Sequence, residues 1–444
     1  MELAVLVGAA AAGFALRSGL IFSDLPKLVS QRVEFSVPTN SWQRVLEGSF
    51  LYDSGVDPYS GDIFHETPLC LVLFAVLKKR ISCFGIDLIF PVLDVVTAFL
   101  LFFFARNLVQ DTIVSEQKAK EKHASGTSKL LVPFADIVTV PRMVLLWYLF
   151  NPHIIGSCLE KTTSVFTNFL LAAMLLSASQ GPSLLSRLSS LFFLALATYQ
   201  TLYMFLLFPA LHLYLLQNAP EKCRSSRKFH IARLVIHLGI FGGILAALVI
   251  GSSVIMGSWS FIRGVYGFAV FAPDLTPNIG LFWYFFTEMF EQFRTFFTWI
   301  FFLNICIYSV PVSIKLRHDP PFAIFTLLSL ITIFKPYPSY GDVGFYLSLF
   351  PIWKRLYPHM RQSLVVVVML LVAAVLFPIL WKLWIEVGSA NANFFYAITL
   401  VFVASQVFFV TDIMLAHEKR EWHLMNGMKS DVDANGKAAE LLLD

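Results

Sequence analysis

Charge is scarce in this chain. Of its 444 residues only 14% are Asp, Glu, Lys or Arg and 57% are hydrophobic, with a mean hydropathy of +0.70. That balance excludes the soluble globular classes and describes a polytopic membrane protein. The net charge of +4 is small, and the basic residues gather in particular loops, which reports topology and gives no basis for nucleic-acid binding. Metal spacing is missing as well: Cys70, Cys83, Cys158, Cys223 and Cys306 are scattered, with no Cys-x-x-Cys or Cys/His pattern, so neither a disulfide framework nor zinc is expected. No cofactor is expected either. A basic leader is lacking, because Glu2 precedes the first apolar run and Arg17 interrupts it, so an uncleaved first span is expected. Ionisable groups do not recur through the middles of several spans, a poor fit to a proton-coupled transporter.

What is present is a series of apolar segments bounded by charges. After the first span they run at 86–105, 143–158, 162–178, 188–200, 202–216, 234–256, 296–314, 322–334, 343–353, 363–385 and 394–415. Together they predict an all-α polytopic membrane protein of roughly twelve transmembrane helices, with interfacial helices on the luminal side and both termini cytosolic. The expected organisation is one multispanning domain, 1–417, with a luminal loop at 23–66, a cytosolic insert at 110–141 and a luminal aromatic segment at 257–294. A polar, disordered cytosolic tail follows at 418–444.

Three stretches do not fit as spans. Ser41–Gly48 has the spacing of an amphipathic surface helix capped by Ser41. Leu69–Leu77 is too short to cross before Lys78-Lys79-Arg80, and predicts a re-entrant or interfacial piece. Phe271–Arg294 begins with turn residues, Pro273, Asp274, Thr276, Pro277, Asn278 and Gly280, and continues as an aromatic run interrupted by Glu288, Glu291, Gln292 and Arg294. Carboxylates and guanidinium are costly in hydrocarbon while Trp and Tyr favour the headgroup level, so an interfacial helix is expected there, with Glu291 and Arg294 spaced to pair.

Candidate chemistry is thin. Asp57–Thr67, Pro273–Asn278 and Ser389–Asn393 fall on the luminal side and either line one pocket or simply punctuate the spans. Asn391 and Asn393 precede Phe394, Phe395 and Tyr396, placed either to cap the last span or to bond sugar and phosphate oxygens. His65 and Glu66 are adjacent, so on an extended chain they point apart and make a weak acid/base pair. His153 and Cys158 lack an orienting acid. The first loop offers only separated acids, Glu34, Asp53, Asp57, Asp62 and Glu66, and the one Asp-x-Asp, Asp431-Val432-Asp433, lies in the tail. Asp87, Asp94, Glu160 and Lys161 sit at span ends, where pairing between helices is the simpler reading.

Several blocks carry a resemblance: Ser41–Gly48, Pro58–Gly61 with Phe64–Pro68, Leu149–Pro152, Leu194–Gln200, Pro273–Phe286 and Gly388–Ala397. Together they resemble the U subunits of the glycosylphosphatidylinositol (GPI) transamidase. The resemblance implies an endoplasmic-reticulum membrane subunit of the complex that attaches GPI anchors to proprotein C-termini, with the nucleophile on a caspase-like cysteine protease partner. That family is similar in turn to the multispanning GPI mannosyltransferases, but Gln31-Arg32-Val33-Glu34 supplies one acid only. A glycosyltransferase-like fold without transferase activity is therefore expected, the alternatives being an active enzyme using Glu34 or Asp57 and a structural scaffold. On this basis a GPI-lipid site is expected at Asp274, Asn278, Trp283, Tyr284, Phe285, Asn391, Asn393, Phe394, Phe395 and Tyr396, with the surrounding membrane lipids as further partners.

Overall fold

The computed structural model describes residues 2–30, 32–124, 126–217 and 227–427. Among the described residues every regular element is helical. The helices are α1 (Glu2–Ile21), α2 (Leu25–Val29), α3 (Trp42–Asp53), α4 (Pro68–Arg80), α5 (Cys83–Lys118), α6 (Asp136–Leu149), α7 (Pro152–Leu159), α8 (Ser164–Ser179) and α9 (Leu184–Gln200). There follow α10 (Phe208–Gln217), α11 (Arg227–Met256), α12 (Phe268–Phe271), α13 (Phe282–Glu288), α14 (Glu291–Lys315), α15 (Pro320–Phe334), α16 (Tyr340–Leu349), α17 (Ser363–Trp381) and α18 (Ala392–Asn426).

Six of these, α1, α5, α11, α14, α17 with its extension to Glu386, and α18, are long and apolar enough to cross a membrane. The other expected crossings fall on shorter helices. The span expected at 143–158 is divided at Asn151-Pro152, because Pro152 brings no N–H to continue α6 and the Asn151 side chain accepts from the His153 N–H at 3.0 Å to start α7. The span expected at 343–353 is likewise shared between α16 and a 3-10 stretch, Phe350–His359. Ser41 stands at the start of α3, as its spacing predicts, but its side chain makes no capping bond.

Helices α5 and α18 contain 36 and 35 residues, each about 50 Å of helix against a hydrocarbon core of roughly 30 Å. Their overhanging ends meet, with Arg420 Nη2 on Glu116 Oε1 at 2.5 Å and the Ala124 N–H donating to Leu424 O at 2.9 Å. The polar stretch after Glu418, expected to be disordered, is thus helical to Asn426 because the insert covers it. Residues 428–444, with Asp431 and Asp433, lie outside the described residues.

The N-terminal helix is tied in by charge. Arg17, fully buried, places Nε 2.8 Å from Asp94 on α5 and donates from Nη1 to Leu149 O on α6 at 2.8 Å, while the Tyr148 hydroxyl donates to Asp94 at 3.1 Å. Such a pair survives burial only where most remaining polar atoms are satisfied. Lys161 pairs with Asp87 at 2.6 Å, so Asp87 and Asp94, two of the three candidate span-end acids, serve helix packing. The loop between α15 and α16 is fixed by a capping box in which the Asp342 carboxylate accepts from Ser339 and also holds Lys335 at 2.7 Å.

Candidate functional site

The aromatic stretch opens where α12 stops. Ala272 adopts the left-handed conformation (φ +41°) and its N–H closes the helix on Phe268 O at 2.9 Å, after which Pro273 cannot continue it. Asp274 then anchors the loop: one carboxylate oxygen accepts from the Thr276 N–H (2.9 Å) and hydroxyl, and the other holds Arg44 at 3.0 Å. Burial opposes the charge, but the Thr276 donors and the Arg44 guanidinium outweigh it, so the Asp274 pKa is lowered. Asn278 is buried and folded on its own backbone, accepting from the Gly280 N–H at 2.7 Å. Both residues shape the loop.

The expected interfacial helix is only the seven residues of α13, broken from α14 at Met289-Phe290. Glu291 belongs to the first turn of the long helix. Among the described residues no ion pair joins it to Arg294, which instead reaches the Phe286 carbonyl at 3.5 Å.

Helix α13 packs on the start of α18. The Tyr284 and Tyr396 rings lie 4.6 Å apart, the Tyr284 hydroxyl donates to Asn393 Oδ1, and the Tyr396 hydroxyl donates to Leu281 O at 3.2 Å. Trp283 and Phe395 are buried behind them and meet Trp384. Asn391 caps α18 by accepting from the Asn393 N–H at 3.1 Å, one of the two roles weighed for it. Phe394, 56% exposed, is not among the residues lining the concavity beside this junction. That concavity is an open apolar shelf formed by Tyr284, Phe285, Met289, Phe290, Phe293 and Tyr396, with Glu288 at its edge. Of the ten candidate residues, Tyr284, Phe285 and Tyr396 face it directly.

A second, polar concavity lies among the first loop, the α9 end and the loop before α16. His65, Thr167, Gln200, Thr201, Tyr203, Tyr266, Lys335 and Tyr337 line it. His65 and Glu66 do diverge: the ring stacks on Phe268 with nitrogens 2.8 and 3.0 Å from the Gly264 and Asp62 carbonyls, while Glu66 takes Thr163 and, at 2.6 Å, Gln200. Burial pushes the Glu66 carboxyl up to about 7. Glu34 and Asp57, the acids weighed for transferase chemistry, do not line this cleft. Asp57 accepts from Ser260 at 2.7 Å. Burial raises the Glu34 pKa, and one of its oxygens has no hydrogen-bond partner among the described residues. No residue of Pro273–Asn278 or Ser389–Asn393 lines either concavity. Gln200 and Lys335 carried no site expectation; the signal for Gln200 was a polar triplet, Tyr199-Gln200-Thr201, between two apolar segments, and for Lys335 the turn-rich stretch 335–342.

The model of the GPI transamidase subunit PIG-U family matches residues 11–402. The chain belongs to that family. Over 418 residues, 93% of each chain, it is 42% identical to the GPI-anchor transamidase component PIGU of Cricetulus griseus and 41% identical to that of Homo sapiens. It is 28% identical over 421 residues, 95% of each chain, to the GPI transamidase component GAB1 of Saccharomyces cerevisiae. PIG-U family membership makes this chain a GPI transamidase component, and its apolar helices fit a membrane protein.

Proposed function

We propose that this chain is the non-catalytic, lipid-presenting subunit of the GPI transamidase, holding the GPI lipid on its apolar shelf for transfer to proprotein C-termini. The observation that carries this reading is the packing of Tyr284 against Tyr396, ring centroids 4.6 Å apart and tilted, which joins the Pro273 and Gly388 stretches into one surface. That surface suits acyl chains and the rim of an inositol ring, because aromatic faces give large apolar area while tyrosine hydroxyls stay wet. Phe285, Phe290 and Phe293 keep it open at 37%, 75% and 48% exposure. In the same reading the protein sits in the endoplasmic reticulum with both termini cytosolic and the shelf luminal, the shorter helices complete roughly twelve crossings in a glycosyltransferase-like arrangement, and a caspase-like subunit supplies the nucleophile. The test is complementation of cells lacking the native subunit. Tyr284→Ala with Tyr396→Ala should lower GPI attachment severalfold while the complex still co-purifies; unchanged attachment would overturn the shelf's role.

A further inference from the structure

Helices α9 and α11 pack together and run in the same direction. The Tyr199 hydroxyl meets Ser252 Oγ at 2.6 Å towards their far ends, and Arg187 and Arg233 come within each other's field where the helices begin. Among the described residues neither guanidinium has a carboxylate partner. Arg187 donates from Nε to the Ser183 carbonyl at 3.2 Å, and Arg233 sits over the Phe229 ring at 5.2 Å from its centroid. Both side chains stay partly exposed. Two like charges left side by side repel, and an anion held by both relieves the repulsion; the guanidinium fork also presents its donors in the pairs that phosphate oxygens accept.

The surroundings favour the same ligand. No acidic residue stands in the first turn of either helix, so the positive ends of two parallel dipoles add to the arginine charge instead of being offset. His237, one turn after Arg233 and within range of both arginines, has Nδ1 3.0 Å from His212 Nδ1 and a buried Nε2 with no partner among the described residues. Leu184 and Leu188 on α9 and Leu234 on α11 are exposed beside the pair, an apolar rim that a soluble anion does not need. We propose that Arg187 and Arg233 together hold the phosphate of an anionic membrane phospholipid, in the leaflet at which α9 and α11 begin. Two unpaired cations select a headgroup with net negative charge, since a choline would bring a third cation to the site. In the topology proposed above that leaflet is the cytosolic one, where anionic lipids concentrate. The inference rests on that topology for the leaflet alone and is independent of the aromatic shelf.

The test takes the assembled complex, delipidated in detergent and titrated with dioleoyl phosphatidylserine or dioleoyl phosphatidylcholine, with bound lipid counted by native mass spectrometry. Phosphatidylserine should bind severalfold more tightly than phosphatidylcholine. Arg187→Gln with Arg233→Gln should reduce that preference at least threefold in complex that still co-purifies. Arg106→Gln with Arg317→Gln, which removes the same charge from exposed positions elsewhere, should leave it unchanged, and so should Tyr284→Ala with Tyr396→Ala. A preference that survives loss of Arg187 and Arg233, or falls equally with Arg106 and Arg317, would overturn the site and leave the arginines as markers of insertion topology. A fall with the tyrosine pair instead would place the lipid on the shelf and overturn this site. Displacement of phosphatidylserine by an equal concentration of glycerophosphoserine, which carries no acyl chains, would overturn the lipid source.

Discussion

The Tyr284 and Tyr396 rings lie 4.6 Å apart, and the Tyr284 hydroxyl donates to Asn393. A seven-residue helix cannot hold its own shape in water. Here that contact, with Trp283 inserted beside Phe395, fixes it against α18, a helix of 35 residues.

The two rings should therefore be energetically coupled. In a double-mutant cycle, Tyr284→Ala and Tyr396→Ala should each destabilise the purified chain, with a coupling of about 0.5 to 1.5 kcal/mol. Strict additivity in thermal unfolding would show that the rings do not support one another.

Breaking the Arg17–Asp94 pair should be costly because the surviving charge stays buried. Arg17→Met alone should destabilise by about 3 to 5 kcal/mol, and Arg17→Met with Asp94→Leu should recover much of that loss. Detergent-solubilised protein in a thermal-shift measurement distinguishes the outcomes: a double variant worse than the single one would contradict the assignment.

Glu66 should give the stability a pH dependence. Its folded carboxyl titrates at about 7, raised from an ordinary 4.5 by burial. A raised carboxylate pKa means the folded state holds its proton longer, so this contribution is complete below pH 4.5 and is lost as pH rises through 7. The loss is on the order of 3 kcal/mol. Unfolding midpoints of the parent chain and of Glu66→Gln, followed from pH 5 to 8, should converge at low pH and differ in slope; parallel curves would exclude Glu66 as the titrating group.

Gly280 has no room for a side chain. A Cβ there would meet Pro338 Cδ at 2.7 Å and Asn278 Oδ1 at 2.9 Å, so Gly280→Ala should displace the turn that leads into α13 and destabilise the chain by about 1 to 3 kcal/mol. GPI attachment should fall with it. A stability equal to the parent would mean the turn yields freely.

Much of this was legible in advance. Charge-bounded apolar runs marked the long spans, and Pro273 with Gly388 marked the loops that meet at the shelf. Period and composition did not show that Asn151-Pro152 would end a helix inside an apolar run, or that Glu116 and Arg420 would hold the insert against α18. Those depend on partners distant in sequence. Asp274 and Asn278 looked like ligand-facing polar groups because their true partners, Arg44 and the Gly280 N–H, appear only once the loop is folded. Gln200 was inconspicuous for the same reason, since its meaning comes from Glu66 and Thr67 on the first loop.

The most direct measurement places a photo-crosslinking amino acid at position 285 or 290 on the shelf, and another at the exposed position 303 on α14, in the assembled complex carrying a radiolabelled GPI lipid. Crosslinks to the labelled lipid at 285 and 290, abolished by Tyr396→Ala and absent at 303, are the expected result. Equal labelling at 303, or none at 285 and 290 in an active complex, would contradict a GPI-lipid site on this shelf.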